Sequence, residues 1–243
     1  MSTTSAESAM DDDYDLKDFG NLSRLFPLPG VVLFPHAVLP LHIFEPRYRQ
    51  MTEDALASDR LITIVQIRPP GEWKSPDVPA LEEFGCLGRI FKHERLADGR
   101  FNFLLLGRKR VRLTREVSTG KLYRMSEVRV VEDILQDDEG DSLDASDHAR
   151  LRSELIEVFR ERFRGGLDPD LDALFETELP LGVLTDIVAQ AMGLPSSVKQ
   201  GFLSEPRVVR RSIELLGLLR EDRHGPRRPD DEPTAFPPPF SLN

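Results

Sequence analysis

The sequence predicts an α+β protein, a curled β-sheet followed by a small bundle of helices. Three observations carry this reading. Residues 25–49 are too apolar for a loop, yet Pro27, Pro29, Pro35, Pro40 and Pro46 forbid a continuous helix. A long run with strand-like alternation brackets Asp98-Gly99, a hairpin signal. Beyond about residue 148 the apolar period changes from two to three and four.

The elements follow in order. Residues 1–20 are small, polar and acidic and read as a disordered tail. Between residues 21 and 134 the chain reads mainly as strands. Its first segment predicts short extended pieces at sheet edges, bent at each proline. Pro46 differs, because it precedes Arg47-Tyr48-Arg49-Gln50-Met51 and suits the first turn of a helix, where its missing N–H costs nothing. Leu61–Ile67 is a β-rich run ended by Pro69-Pro70-Gly71, and 68–82 is a proline-rich loop. The hairpin joins Gly85–Ala97 to Arg100–Val117 through a two-residue type I′ turn at Asp98-Gly99. In the returning strand Phe101, Phe103 and Leu105 share one face and Leu104 and Leu106 the other, so both faces should be covered. Gly88 and Gly107 mark bends that let the sheet curl. Tyr123–Val131 supplies a further strand.

Residues 135–147 form an acidic linker, and 148–222 predict the bundle. Leu151, Leu155, Val158, Phe159 and Phe163 make one helical stripe, and Leu184, Ile187, Val188, Ala191 and Met192 a second. Gly193-Leu194-Pro195 ends that helix and Ser196-Ser197 opens a short one. A last helix carries Val209, Ile213, Leu216 and Leu219. Residues 223–243 are a proline-rich tail in which Phe236 and Phe240 flank three prolines, the pattern of a short linear motif in polyproline II.

Composition narrows function. The 243 residues carry a net charge of −10, which disfavours a general nucleic-acid binder. A single cysteine, Cys86, excludes an internal disulfide and a cysteine-based zinc cage. With no signal-peptide pattern and no long apolar run, the expected location is the cytoplasm, away from membranes. Gly120-Lys121 lacks the glycine spacing of a phosphate-binding loop, and His93-Glu94 lacks the second histidine of a zinc-protease helix. His36 and His42 read as packing or turn histidines. No catalytic, cofactor-binding or metal-binding residue is expected, and no cofactor. The one basic cluster of the folded region is Arg108, Lys109, Arg110, Arg112 and Arg115; alternation reads it as a solvated sheet face, with an anion or RNA site as the alternative.

These residues together resemble the Lon N-terminal domain family, in particular its small stand-alone bacterial members. The resemblance rests on Phe26-Pro27-Leu28, Val32-Leu33-Phe34-Pro35 and Leu39-Pro40-Leu41-His42-Ile43-Phe44-Glu45-Pro46-Arg47-Tyr48. Phe84-Gly85-Cys86-Leu87-Gly88-Arg89-Ile90 and the Asp98-Gly99 hairpin through Val111 extend it. It implies a PUA-like curled sheet or pseudo-barrel followed by a helical bundle. It implies a non-catalytic module for unfolded or flexible polypeptide segments, an adaptor to a protease or chaperone in protein quality control. The ATPase and protease that follow this region in full-length Lon proteases are expected to be missing. Phe34, Leu39, Ile43 and Phe44, with Arg47 and Tyr48, are the expected polypeptide-contacting residues. The alternative is an RNA-binding PUA-like protein using the Arg108–Arg115 strand.

Overall fold

The computed structural model describes residues 16, 19–73, 78–135, 145–163, 166 and 169–221. The acidic stretch 1–15, most of the expected linker and residues 222–243, including Phe236–Phe240, lie outside the described residues. Six strands come first: β1 (Leu22–Leu28), β2 (Val38–Ile43), β3 (Leu61–Ile67), β4 (Leu81–Arg95), β5 (Phe101–Val117) and β6 (Met125–Val131). Helix α1 (Pro46–Leu56) sits between β2 and β3, with Pro46 in its first turn. Helices α2 (Ala145–Arg162), α3 (Pro169–Phe175), α4 (Leu181–Ala191), α5 (Ser196–Ser204) and α6 (Val208–Glu221) follow. The α+β expectation holds, though α3 had no clear periodic signal in the sequence.

The strands lie in the order β2-β5-β4-β3-β1-β6, and β6 also pairs with β5. That second pairing closes β5-β4-β3-β1-β6 into a ring and leaves β2 appended to it. Only the β1–β3 pair is parallel. The long strand β5 makes the closure possible. One edge pairs along β4, while the other is shared: Phe101–Leu106 pair with β2 and Arg110–Val117 with β6.

At the junction of those halves the chain of residues 31–37 crosses Gly107. His36 N–H donates to the Gly107 carbonyl at 2.8 Å, and Gly107 N–H donates to the Ala37 carbonyl at 2.8 Å. A Cβ at Gly107 would collide with the Phe34 carbonyl, so only glycine allows this approach. The β4–β5 register slips at Leu87/Gly88, the bend anticipated from Gly88 and Gly107, and again at Ile90/Lys92, where no glycine stands.

Three local expectations are corrected. The β4–β5 hairpin does not turn through a type I′ pair, because Gly99 has φ 82° while Asp98 is absent from the positive-φ residues. Gly99 N–H bonds the Leu96 carbonyl and Leu96 N–H the Arg100 carbonyl, a three-residue loop ending in a left-handed glycine. Asp98 keeps an ordinary φ because its Cβ makes the left-handed region costly. Second, Leu104 and Leu106 are only half-buried, so the outer face of β5 is incompletely covered. Third, Ile213 is 54% exposed; α6 turns Val208, Val209, Ser212, Leu215, Leu216 and Leu219 inward instead.

Barrel and bundle share one continuous apolar core, in which Ile62, Ile64, Phe103 and Leu105 join Leu155, Phe159, Leu184, Val188 and Leu215. Polar contacts reinforce the joint. Phe34 N–H donates to Gln190 Oε1 at 3.2 Å and Gln200 Nε2 donates to the Phe84 carbonyl at 2.9 Å.

Candidate functional site

The ring is not zipped along its whole height. β1 pairs with β6 only at Leu22, Ser23 and Arg24, so Phe26–Leu28 keep β3 on one side and no ladder partner on the other. β2 pairs with β5 alone. Between these two free edges lies a cleft of about 340 Å³, within the range of about 300–1,000 Å³ usual for ligand sites. Pro27 stands in one edge and Pro40 in the other. Neither can donate to a neighbouring strand, which keeps both edges from extending the sheet.

The cleft floor is aromatic. The Phe26 and Tyr48 rings lie 4.3 Å apart, and the Arg47 guanidinium stands 4.6 Å from the Tyr48 centroid. Burial pushes the Tyr48 phenol above its usual range, with Arg47 pulling the other way, so it stays a neutral donor. Its hydroxyl has no hydrogen-bond partner among the described residues. On the rim, Phe44 is 42% and Leu122 63% exposed, large for apolar side chains. The loop bearing Leu122 is pinned by its own N–H to Gln50 Oε1 at 2.9 Å. Beside it the Tyr123 hydroxyl donates to Asp54 Oδ2 at 2.7 Å. Burial, and then this bond, push the Tyr123 phenol up to about 12. The charged rim groups are occupied: Arg47 pairs with Glu45 at 2.8 Å, and Arg124 reaches Glu116 and the Pro79 carbonyl. His42 lies between Asn102 and Arg100.

Five of the six expected contact residues, Leu39, Ile43, Phe44, Arg47 and Tyr48, therefore line one cleft. Phe34 does not. It is 0% exposed and belongs to the joint between barrel and bundle. Phe26, Leu122 and Tyr123 also line the cleft and escaped sequence reasoning, because ring closure brings them in from distant segments.

The basic cluster is a solvated face only in its outer part, where Arg112 and Arg115 are exposed. Arg108 and Arg110 are buried, and Arg110 meets Asp186 of α4. Arg110 contacts Asp186 and, at 3.2 Å, Asp133; Arg211 reaches Asp133 at 2.7 Å. Burial lowers the Arg110 pKa, but Asp186 and then Asp133 outweigh it and hold the guanidinium above its usual value. Further out, Lys109 pairs with Glu132, Arg112 with Glu83 and Arg115 with Glu127. Lys109, Arg110, Arg112 and Arg115 thus each face a carboxylate. Among the described residues no group of three or more His, Cys, Asp or Glu could hold a metal. No described helix is long and apolar enough to cross a membrane.

The family model for the ATP-dependent protease La (LON) substrate-binding domain matches residues 23–221. The chain belongs to that family. Among its relatives, a Lon protease of Desulfatibacillum aliphaticivorans is 24% identical over 87% of this chain and 25% of its own length. Lon protease 4 of Sorangium cellulosum is 32% identical over 81% of this chain and 23% of its own. The chain thus spans about a quarter of the Lon proteases it matches. The N-terminal domain of a Mycobacterium avium complex Lon protease superposes with a TM-score of 0.64 at 16% identity, covering 82% of this chain and 98% of that one. A Lon N-terminal domain protein from Xanthomonas campestris gives 0.56 at 24% identity, covering 81% and 97%. These two likenesses establish the fold. The region that the LON substrate-binding family describes is the recognition part of Lon, distinct from its protease domain.

Proposed function

We propose that this protein is a non-catalytic recognition module that takes extended apolar polypeptide segments into the seam cleft. An adaptor role toward a protease or chaperone is part of that reading. The observation that carries it is an aromatic recess between two proline-interrupted strand edges, rimmed by the exposed Phe44 and Leu122. The free edges flank room for a backbone, and the recess takes side chains.

Burying one large apolar side chain contributes about 1.5–3 kcal/mol, so affinity for a short segment should be modest. Titrating the protein with a short fluorescein-labelled peptide rich in leucine and phenylalanine tests this by anisotropy. Phe44→Ser with Leu122→Ser should weaken binding about tenfold or more, the equivalent of about 1.4 kcal/mol. Unchanged affinity in that variant, or no saturable binding up to millimolar peptide, would sink the proposal. RNA binding would need the Arg108–Arg115 cations free, and Lys109, Arg110, Arg112 and Arg115 are engaged.

A further inference from the structure

The cleft is selective in a way that its apolar lining alone does not express. An ordinary strand laid against either free edge would fail to form ladder bonds at Pro27 and at Pro40. A polyproline II segment loses nothing there, because it has no ladder to complete and its prolines have no N–H to satisfy. What such a segment does present is carbonyl oxygen. The cleft answers with the Tyr48 hydroxyl, a neutral donor with no partner among the described residues. Phe26, Phe44, Tyr48 and Tyr123 give the aromatic wall on which polyproline II segments dock.

The chain carries one segment of that chemistry. Phe236-Pro237-Pro238-Pro239-Phe240 has three consecutive prolines flanked by two aromatic side chains. Phe236 follows Glu221, the end of α6, by fifteen residues. At about 3.1 Å per residue that stretch reaches roughly 45 Å. A folded body of this size measures roughly 40–45 Å across. The tether is therefore about as long as the body is wide.

We infer that the seam cleft is a polyproline II site and that its resident occupant is Phe236–Phe240 of the same chain, which incoming segments must displace. This rests on reading the cleft as a polypeptide site. Tethering sets a local concentration on the order of 1 mM, so a segment with a Kd of about 100 μM would fill the cleft about nine-tenths of the time. A free competitor would then bind about tenfold more weakly than to an empty cleft.

Two measurements on the full chain test it. Ser241→Cys is labelled with benzophenone maleimide; Cys86 is fully buried and burial raises its thiol pKa, so it does not compete for the label. After irradiation, adducts should map to Phe44, Tyr48 or Leu122 within single chains. In parallel, a fluorescein-labelled copy of residues 232–243 should bind the Phe236→Ser, Phe240→Ser chain about tenfold more tightly than the unaltered chain. Equal affinity for the two chains, or adducts away from the cleft, would overturn the inference. If the leucine- and phenylalanine-rich peptide still bound in that case, the proposed function would survive. Adducts joining two chains would also overturn it, since the occupant would then come from a second copy. If the labelled copy and the cleft adducts behaved as expected while the apolar peptide failed to bind, the resident segment would stand and the wider proposal would fall.

Discussion

Asp186 on α4 is 2% exposed and lies against two guanidiniums, Arg110 from β5 and Arg211 from α6. Both arginines are buried, and among the described residues the only other carboxylate contacting them is Asp133, in the segment after β6. A buried pair contributes little against a well-packed apolar replacement, but a buried charge stripped of its partner is costly. Asp186→Ala should therefore lower stability by about 3–5 kcal/mol, read as an earlier midpoint in urea unfolding. Adding Arg110→Met to that variant should recover part of the loss; a double variant as unstable as the sum of the singles would refute the coupling. The sequence shows Arg-Lys-Arg-Val-Arg plainly, and alternation alone makes it a wet face. The carboxylate that meets the buried Arg110 is Asp186 of α4, 76 positions away among ordinary helix residues. A contact that distant leaves no local trace.

At the level of elements the sequence was most readable where one short segment decides the outcome. Pro46 opens α1, Leu61–Ile67 forms β3 residue for residue, and Gly88 and Gly107 bend the β4–β5 pair. Ile213 was misplaced because α6 has apolar residues on more than one side, and only packing against α2 and α4 chooses among them. The short helix α5 carries a group no pattern would single out. Lys199 Nζ donates to the Gln190 carbonyl at 2.8 Å, near the end of α4, and burial lowers its pKa from 10.5 to about 8. The folded protein thus releases this proton before the unfolded chain does, so stability should rise between about pH 8 and 10. The gap between those two values sets a ceiling of about 3 kcal/mol. Above pH 10 the trend should reverse, because Tyr123 stays protonated to about 12 in the folded state and ionises earlier in the unfolded chain. Lys199→Met should abolish the rise in thermal unfolding scans across that window; a rise that persists would assign it to another group.

For the whole molecule, the order of strands and then helices was legible, and so were five of the residues that line the cleft. The cleft itself was not. It exists because β5 divides one edge between β2 and β6 and leaves Phe26–Leu28 unpaired, a consequence of closure rather than of any segment. That same division orders the assembly of the barrel. β4, β5 and β6 are neighbours in sequence and can pair through short loops. β2 must find β5 across about sixty positions, and β1 must find β6 across about a hundred. Loop closure grows costlier with length, and in the cleft region few ladder bonds repay it. Backbone amides of Phe26, Leu28, Val38, Leu39 and Leu41–Ile43 should therefore exchange with deuterium before those of β4 and the first half of β5, under native conditions. Simultaneous exchange of all four strands would show that they open only together. On that account the wall of the recess should be the last part of the barrel to close during folding, and the first to come loose.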